Sequence, residues 1–140
     1  MLKNVEIGDR VQQQHDDGCV IACFAMLSGV SYWEAHGEAV SAGLITRYGL
    51  PKMTFAAAAK LLRLKRFKCV EDEITDFRSR KLPAIVMFKW FTTPDYHSVV
   101  WDPQRKSFLD PAYPKSLGTR FYVDHWRRSG RYALVVTGKK

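Results

Sequence analysis

A chain of 140 residues, 46% hydrophobic and 26% charged, is long enough to bury one core and too apolar for intrinsic disorder. Its 22 Lys and Arg against 14 Asp and Glu leave a net charge of +8, which favours acidic partners. No window approaches the ~20 apolar residues of a membrane helix, and the opening MLKNVEIGDR lacks an apolar segment of signal-peptide length. The expectation is a single domain over residues 1–140, cytoplasmic and off the membrane. Three cysteines, Cys19, Cys23 and Cys69, cannot all pair within one chain, and a reducing compartment keeps them as thiols.

In chain order, the first half reads as helices. Apolar density from Cys19 to Leu27, with Gly29 beyond as a stop, predicts a helix opening near Gly18. Ser31-Tyr32-Trp33-Glu34 matches a capping box and predicts a second helix to about Ala42. Thr54 caps a third, FAAAAKLLRL, rich in strong helix formers. The second half reads as five strands: RFKCVE (66–71), PAIVMFKW (83–90), HSVVW (97–101), KSFLD (106–110) and RYALVVT (131–137), each β-branched or aromatic and bounded by Pro, Gly or Asp. Helices followed by strands predict an α+β fold, with N-terminal helices packed on a C-terminal, mainly antiparallel sheet.

The basic residues cluster in RLKRFK (63–68), RSRK (78–81) and RRSGR (127–131). Such runs can bind phosphate backbones, but without a nucleic-acid motif they read as solvated faces. Nucleic acid is not expected as a partner.

The chemistry gathers around Cys19. A thiol in the first turn of a helix meets unpaired backbone N–H groups and the positive end of the macrodipole, where thiolates form. Gly18 would leave its approach face open. A nucleophilic thiol needs a base, and the base an orienting acceptor. His97 opens one strand and Asp110 closes the next, and a turn pairing Asp102 with Arg105 would put His97 directly opposite Asp110. An oxyanion hole needs donors: the Cys19 N–H is one, and a side-chain amide from Gln12, Gln13 or Gln14 could be the other. The competing reading of His15, Cys19 and Cys23 is a zinc site of the form H-x3-C-x3-C, which would require Cys69 or His97 as a fourth ligand. His36 and His125 have no Cys or carboxylate at a motif spacing and read as surface or interface positions.

Gln13, Asp17-Gly18-Cys19, Ala22-Cys23-Phe24-Ala25-Met26-Leu27, His97-Ser98-Val99-Val100 and Leu109-Asp110-Pro111, in that order, resemble papain-like cysteine peptidases. The likeness is nearest to the bacteriocin-processing, double-glycine-leader peptidases and their stand-alone relatives. The resemblance implies Cys19 as nucleophile, His97 as general base and then acid, Asp110 as orienting acceptor and Gln13 as oxyanion donor. It implies a cysteine endopeptidase with no cofactor and no metal, acting on a peptide or protein substrate whose acidic flanks the positive surface would favour. In that family the glycine usually follows the thiol; here it precedes it. The closing segment RFYVDHWRRSGRYALVVTG looks like the family's last helical turn and strand. The alternatives are a papain-like peptide- or protein-binding module without activity, and a thiol acyltransferase of transglutaminase type with the same triad.

Overall fold

The computed structural model describes residues 6–73, 81–89, 96–113, 116–129 and 132–140. Three helices come first: α1 (Cys19–Ser28), α2 (Tyr32–Ser41) and α3 (Phe55–Leu64). Gly18 is the N-cap of α1, and Gly29 ends it in the left-handed region at φ 74°, donating its N–H to Ala25 O at 2.9 Å. Ser31 accepts from Glu34 N at 3.2 Å as the capping box requires, but the Glu34 carboxylate takes the Ser31 hydroxyl rather than a backbone N–H. Thr54 accepts from Ala57 N at 3.1 Å and opens α3. Every residue of α1 from Cys19 to Leu27 is buried. A helix apolar all round belongs in the middle of a core, and α1 packs against α2, α3, β2 and β3.

The strands are β1 (Phe67–Glu73), β2 (Ala84–Lys89), β3 (Tyr96–Asp102), β4 (Ser107–Leu109) and β5 (Tyr132–Lys139). Trp90 and Arg131, expected at strand ends, lie outside the described residues. The strands form one sheet in the order β1-β5-β2-β3-β4, and every pairing is antiparallel. The fold is therefore α+β, but with a third layer. Between β4 and β5 the chain forms α4 (Thr119–Arg128). Strand alternation divides the core in two. Ile85, Val100, Leu134 and Val136 face α1 to α3. Val86, Phe88, Val99, Trp101, Phe108 and Val135 face the opposite side, which α4 covers with Tyr122 and Trp126, one helical turn apart and fully buried. His125, Arg127 and Arg128 in its last turn suit the negative end of the helix dipole.

The β3–β4 hairpin corrects the expected register. The pairs are Val100 with Leu109, Trp101 with Phe108 and Asp102 with Ser107, so the turn holds residues 103–106 rather than closing at Arg105. The two extra residues are absorbed at Lys106, which adopts a left-handed φ of 53°. Asp102 Oδ1 accepts from Gln104 N at 3.0 Å, and Oδ2 from the Arg105 guanidinium at 2.8 Å, which fixes the turn. His97 and Asp110 are thus not strand neighbours. A shift of two residues preserves the faces, however, because side chains alternate with period two.

Candidate active site

β4 stops at Leu109, because Pro111 has no N–H to continue a ladder. Asp110 then folds back and accepts from Ala112 N at 2.9 Å. This turn, not strand pairing, carries its Oδ1 to 2.7 Å from Nε2 of His97, the second residue of β3. The two side chains are almost wholly buried, at 4% exposure for His97 and 1% for Asp110. Asp110 Oδ2 takes a third donor, the Tyr122 hydroxyl of α4, at 2.8 Å. The His97 ring lies edge-on to Phe88, its cross-strand partner, at 5.6 Å between centroids.

The Cys19 thiol lies near enough to the same ring to favour its charged form. Because Nε2 belongs to Asp110, the ring nitrogen left for the thiol is Nδ1. Burial works against the charged imidazolium, but the Asp110 hydrogen bond and the influence of Asp110 and Cys19 outweigh it and raise the His97 pKa to about 9. Burial likewise works against the Asp110 carboxylate. The hydrogen bond and charge of His97, with the Ala112 N–H and the Tyr122 hydroxyl, nonetheless hold Asp110 below its ordinary value.

No side chain caps the N-terminus of α1, and no acid lies in its first turn. Its first backbone N–H groups, at Cys19, Val20 and Ile21, have no acceptor one turn back within the helix, since Ala22 is the first to bond Gly18 O, at 3.0 Å. An uncapped, buried helix end beside a thiol is a ready receptor for negative charge.

The loop before the helix is braced from several sides. Gln13 donates its backbone N–H to Pro111 O at 2.9 Å and its side-chain Nε2 to His15 O and Asp16 O at 2.9 and 3.0 Å. Arg10 joins the same two segments, donating to Asp110 O and to the Gln12 side chain. Gln13 therefore sits beside the thiol loop, but both its amide protons point at loop carbonyls, and its Oε1 is buried without a hydrogen-bond partner. Gly18 has a role different from clearing the approach to the thiol. A Cβ there would lie 2.2 Å from the Tyr32 hydroxyl, so the glycine is what lets that phenol close over the start of α1. The hydroxyl meets His15 Nδ1 at 2.8 Å. Burial first, then the Cys19 charge, pushes the Tyr32 pKa up to about 12.

His15, Tyr32, Trp33 and His36 form one aromatic cluster beside the loop, with His15 stacked on His36 at 5.5 Å. His36 is thus buried rather than at the surface; burial, His15 and Arg47 hold its pKa below the ordinary value. His125 is half-buried, stacked on Phe121 at 4.2 Å. The zinc reading finds no support in placement: His15 turns to Tyr32, Cys23 is fully buried in the core, and among the described residues no group of three or more His, Cys, Asp or Glu is placed to hold a metal. A cavity of about 640 Å³ opens beside residues 14–17, walled on its other side by Tyr48, Leu50 and Pro51.

Sequence reasoning missed Tyr122 and Tyr32. The spacing of Tyr122 and Trp126 was a signal for the first; nothing local links Tyr32 to Gly18. The fold and site thus define an α+β protein with a buried Cys-His-Asp cluster at the start of a central helix. No protein-family model matches the chain, and no curated protein does.

Proposed function

We propose that this protein is a papain-like cysteine endopeptidase that hydrolyses peptide bonds through Cys19, His97 and Asp110. The observation that carries the reading is the His97 ring held between two partners, Asp110 at 2.7 Å on Nε2 and the Cys19 thiol, at the uncapped end of α1. In the reaction the proton of Cys19 rests on His97 Nδ1, whose charged form the site favours, and the thiolate attacks the carbonyl carbon of the scissile amide. The oxyanion is received by the Cys19 N–H and by Gln13 Nε2, which gives up its bond to Asp16 O to do so. The imidazolium protonates the leaving amine, the C–N bond breaks and a thioester remains. Water then attacks the thioester, giving a proton back to His97, and the acid product leaves as the thiol reforms. Asp110, braced by Tyr122 and Ala112, keeps the ring in one orientation. The cavity bounded by Tyr48, Leu50 and Pro51 is the natural place for substrate residues flanking the cleaved bond.

The test is exposure to iodoacetamide at pH 7 with mass-spectrometric readout, followed by a peptide library. Cys23 and Cys69 are both raised by burial, Cys23 further by the charges of Cys19 and Asp110. Cys19 should therefore react at least ~10-fold faster than either, and more slowly in His97→Ala. Library cleavage should vanish in Cys19→Ala. A second reading, a peptide-binding module of the same fold without turnover, is favoured by the commitment of both Gln13 amide protons to loop carbonyls. Rapid Cys19 alkylation without cleavage of any library peptide would decide for it.

A further inference from the structure

We propose that the groove along the outer edge of β1 binds an acidic peptide segment in extended conformation, at a place separate from the Cys19 site. The sheet order puts β1 at one edge and β3, with His97, three strands away. At ~4.8 Å per strand that is roughly 14 Å. A groove of about 610 Å³ lies where α3 hands over to β1. Four cations line it, Arg63, Arg66, Lys68 and Lys140, and among the described residues no Asp or Glu does. All four are exposed, and among the described residues none forms an ion pair. Lys65, in the same run, is instead neutralised by Glu38 at 2.8 Å. The positive charge of this run is therefore sorted, one cation paired and three left facing a concavity, where Lys140 joins them.

The backbone adds a second observation. Arg66 adopts a left-handed φ of 70° just past the C-cap of α3, a position where glycine or asparagine is usual. The turn is held by Arg66 N on Arg63 O and by Lys140 N on Arg66 O, at 3.0 and 2.9 Å. A glycine would relieve that conformation, and an arginine there retains a charge at a backbone cost. Arg63 is also placed: its guanidinium donates to Cys69 O of β1 at 3.3 Å.

An edge strand offers alternate N–H and C=O groups to an added strand. Here the rim is cationic and the lining between includes Val70, 48% exposed. That combination suits an extended chain with alternating acidic and apolar side chains. It suits single-stranded nucleic acid less, since the groove's one aromatic, Phe67, is only 4% exposed and is covered by Lys139 at 4.8 Å, leaving no face for a base. If the peptidase reading holds, the bound segment is part of its substrate; the groove itself does not rest on that reading.

Binding is measured on the full chain carrying Cys19→Ala, by fluorescence anisotropy with a labelled peptide of alternating Glu and Val. Arg66→Glu with Lys68→Glu should weaken it ~10-fold or more, while Arg127→Glu with Arg128→Glu, an equal charge change on α4, should leave it within ~2-fold. Arg66→Gly should lower affinity ~3-fold without lowering Tm, which separates binding from folding. N-methylation of alternate peptide residues should abolish binding. Equal weakening by the α4 pair, undiminished binding of the N-methylated peptide, or tighter binding of a single-stranded oligonucleotide of matched charge would each overturn the proposal. Groove binding intact, with no peptide of the library cleaved by the unsubstituted chain, would overturn the peptidase reading instead.

Discussion

The Tyr122 hydroxyl donates to Asp110 Oδ2 at 2.8 Å, and so joins α4, on the far side of the sheet from α1, to the carboxylate that His97 meets. The same hydroxyl accepts from Leu117 N at 3.1 Å, so it is fully used. Tyr122→Phe keeps the ring in its packing against Phe88 and Phe108 while leaving one buried carboxylate oxygen short of a donor. An unsatisfied buried acceptor costs about 1–3 kcal/mol. Tm should fall accordingly in thermal melts, and, if Asp110 positions the base as proposed without touching substrate, kcat should fall ~10-fold with KM unchanged. Loss of stability with kcat intact would assign Tyr122 a structural role alone.

Gly18 and Tyr32 form a tighter partnership than their separation in sequence suggests. A Cβ on Gly18 would stand 2.2 Å from the Tyr32 hydroxyl, so Gly18→Ala should displace the phenol and loosen the loop it holds through His15. Overpacking of this kind costs about 1–3 kcal/mol. Tyr32→Phe removes the colliding atom, so the double variant should recover part of that loss, leaving the contacts at 3.1 and 3.2 Å to limit the recovery. The measurement is a double-mutant cycle in urea. Additive losses would mean that the two residues do not meet.

Among the three adjacent glutamines, Gln13 should matter most to turnover. It alone joins the thiol loop to Pro111, beyond Asp110, and it alone places its amide on His15 O and Asp16 O. Gln12 is held by Arg10 and Gln14 donates to Gln12 O at 3.2 Å, both in exposed positions. If Gln13 Nε2 receives the oxyanion, Gln13→Ala should reduce kcat about 100 to 1,000-fold, and Gln12→Ala and Gln14→Ala each less than ~3-fold. A kcat for Gln13→Ala within ~3-fold of the parent would leave the oxyanion to the backbone N–H groups of α1.

Helix limits were legible because their signals are local. Gly18, Gly29, Ser31 and Thr54 stand where the caps of α1, α2 and α3 are found. The five strands and the juxtaposition of His97 with Asp110 were legible for a related reason, the period-two alternation of faces. Their register was not, because it depends on Lys106 taking a left-handed conformation that its side chain does not announce. The helix α4 registered only as a helical turn through resemblance, since FYV and HW are as common in strands; its i, i+4 pair Tyr122 and Trp126 was the overlooked pattern. The burial of His36, the closure of Tyr32 over Gly18 and the brace from Tyr122 to Asp110 all join segments distant in sequence. No window of residues contains them.

The pH profile gives the sharpest test of the triad. The raised pKa of His97, about 9 against an ordinary 6.5, means that its charged form is favoured by folding. Stability from this group is fully present below pH ~6.5 and is lost as pH rises through about 9. Asp110 has the opposite sign: its pKa is lowered from 3.8, so its contribution is present above that value and lost as pH falls through the depressed one. Between roughly pH 4 and pH 6.5 both contributions are whole. Asp110→Asn removes the carboxylate charge and lets the ring pKa fall. The Tm gap between the parent chain and Asp110→Asn should be widest in that window and narrow steadily toward pH 9 and above. Turnover should follow the same ring. Its proton is needed by the leaving amine, so kcat/KM should decline on the alkaline side with a midpoint near 9, and in Asp110→Asn that midpoint should move down by at least ~1 pH unit. A parent profile that stays flat through pH 9, or an alkaline midpoint that Asp110→Asn leaves in place, would show that His97 does not supply that proton.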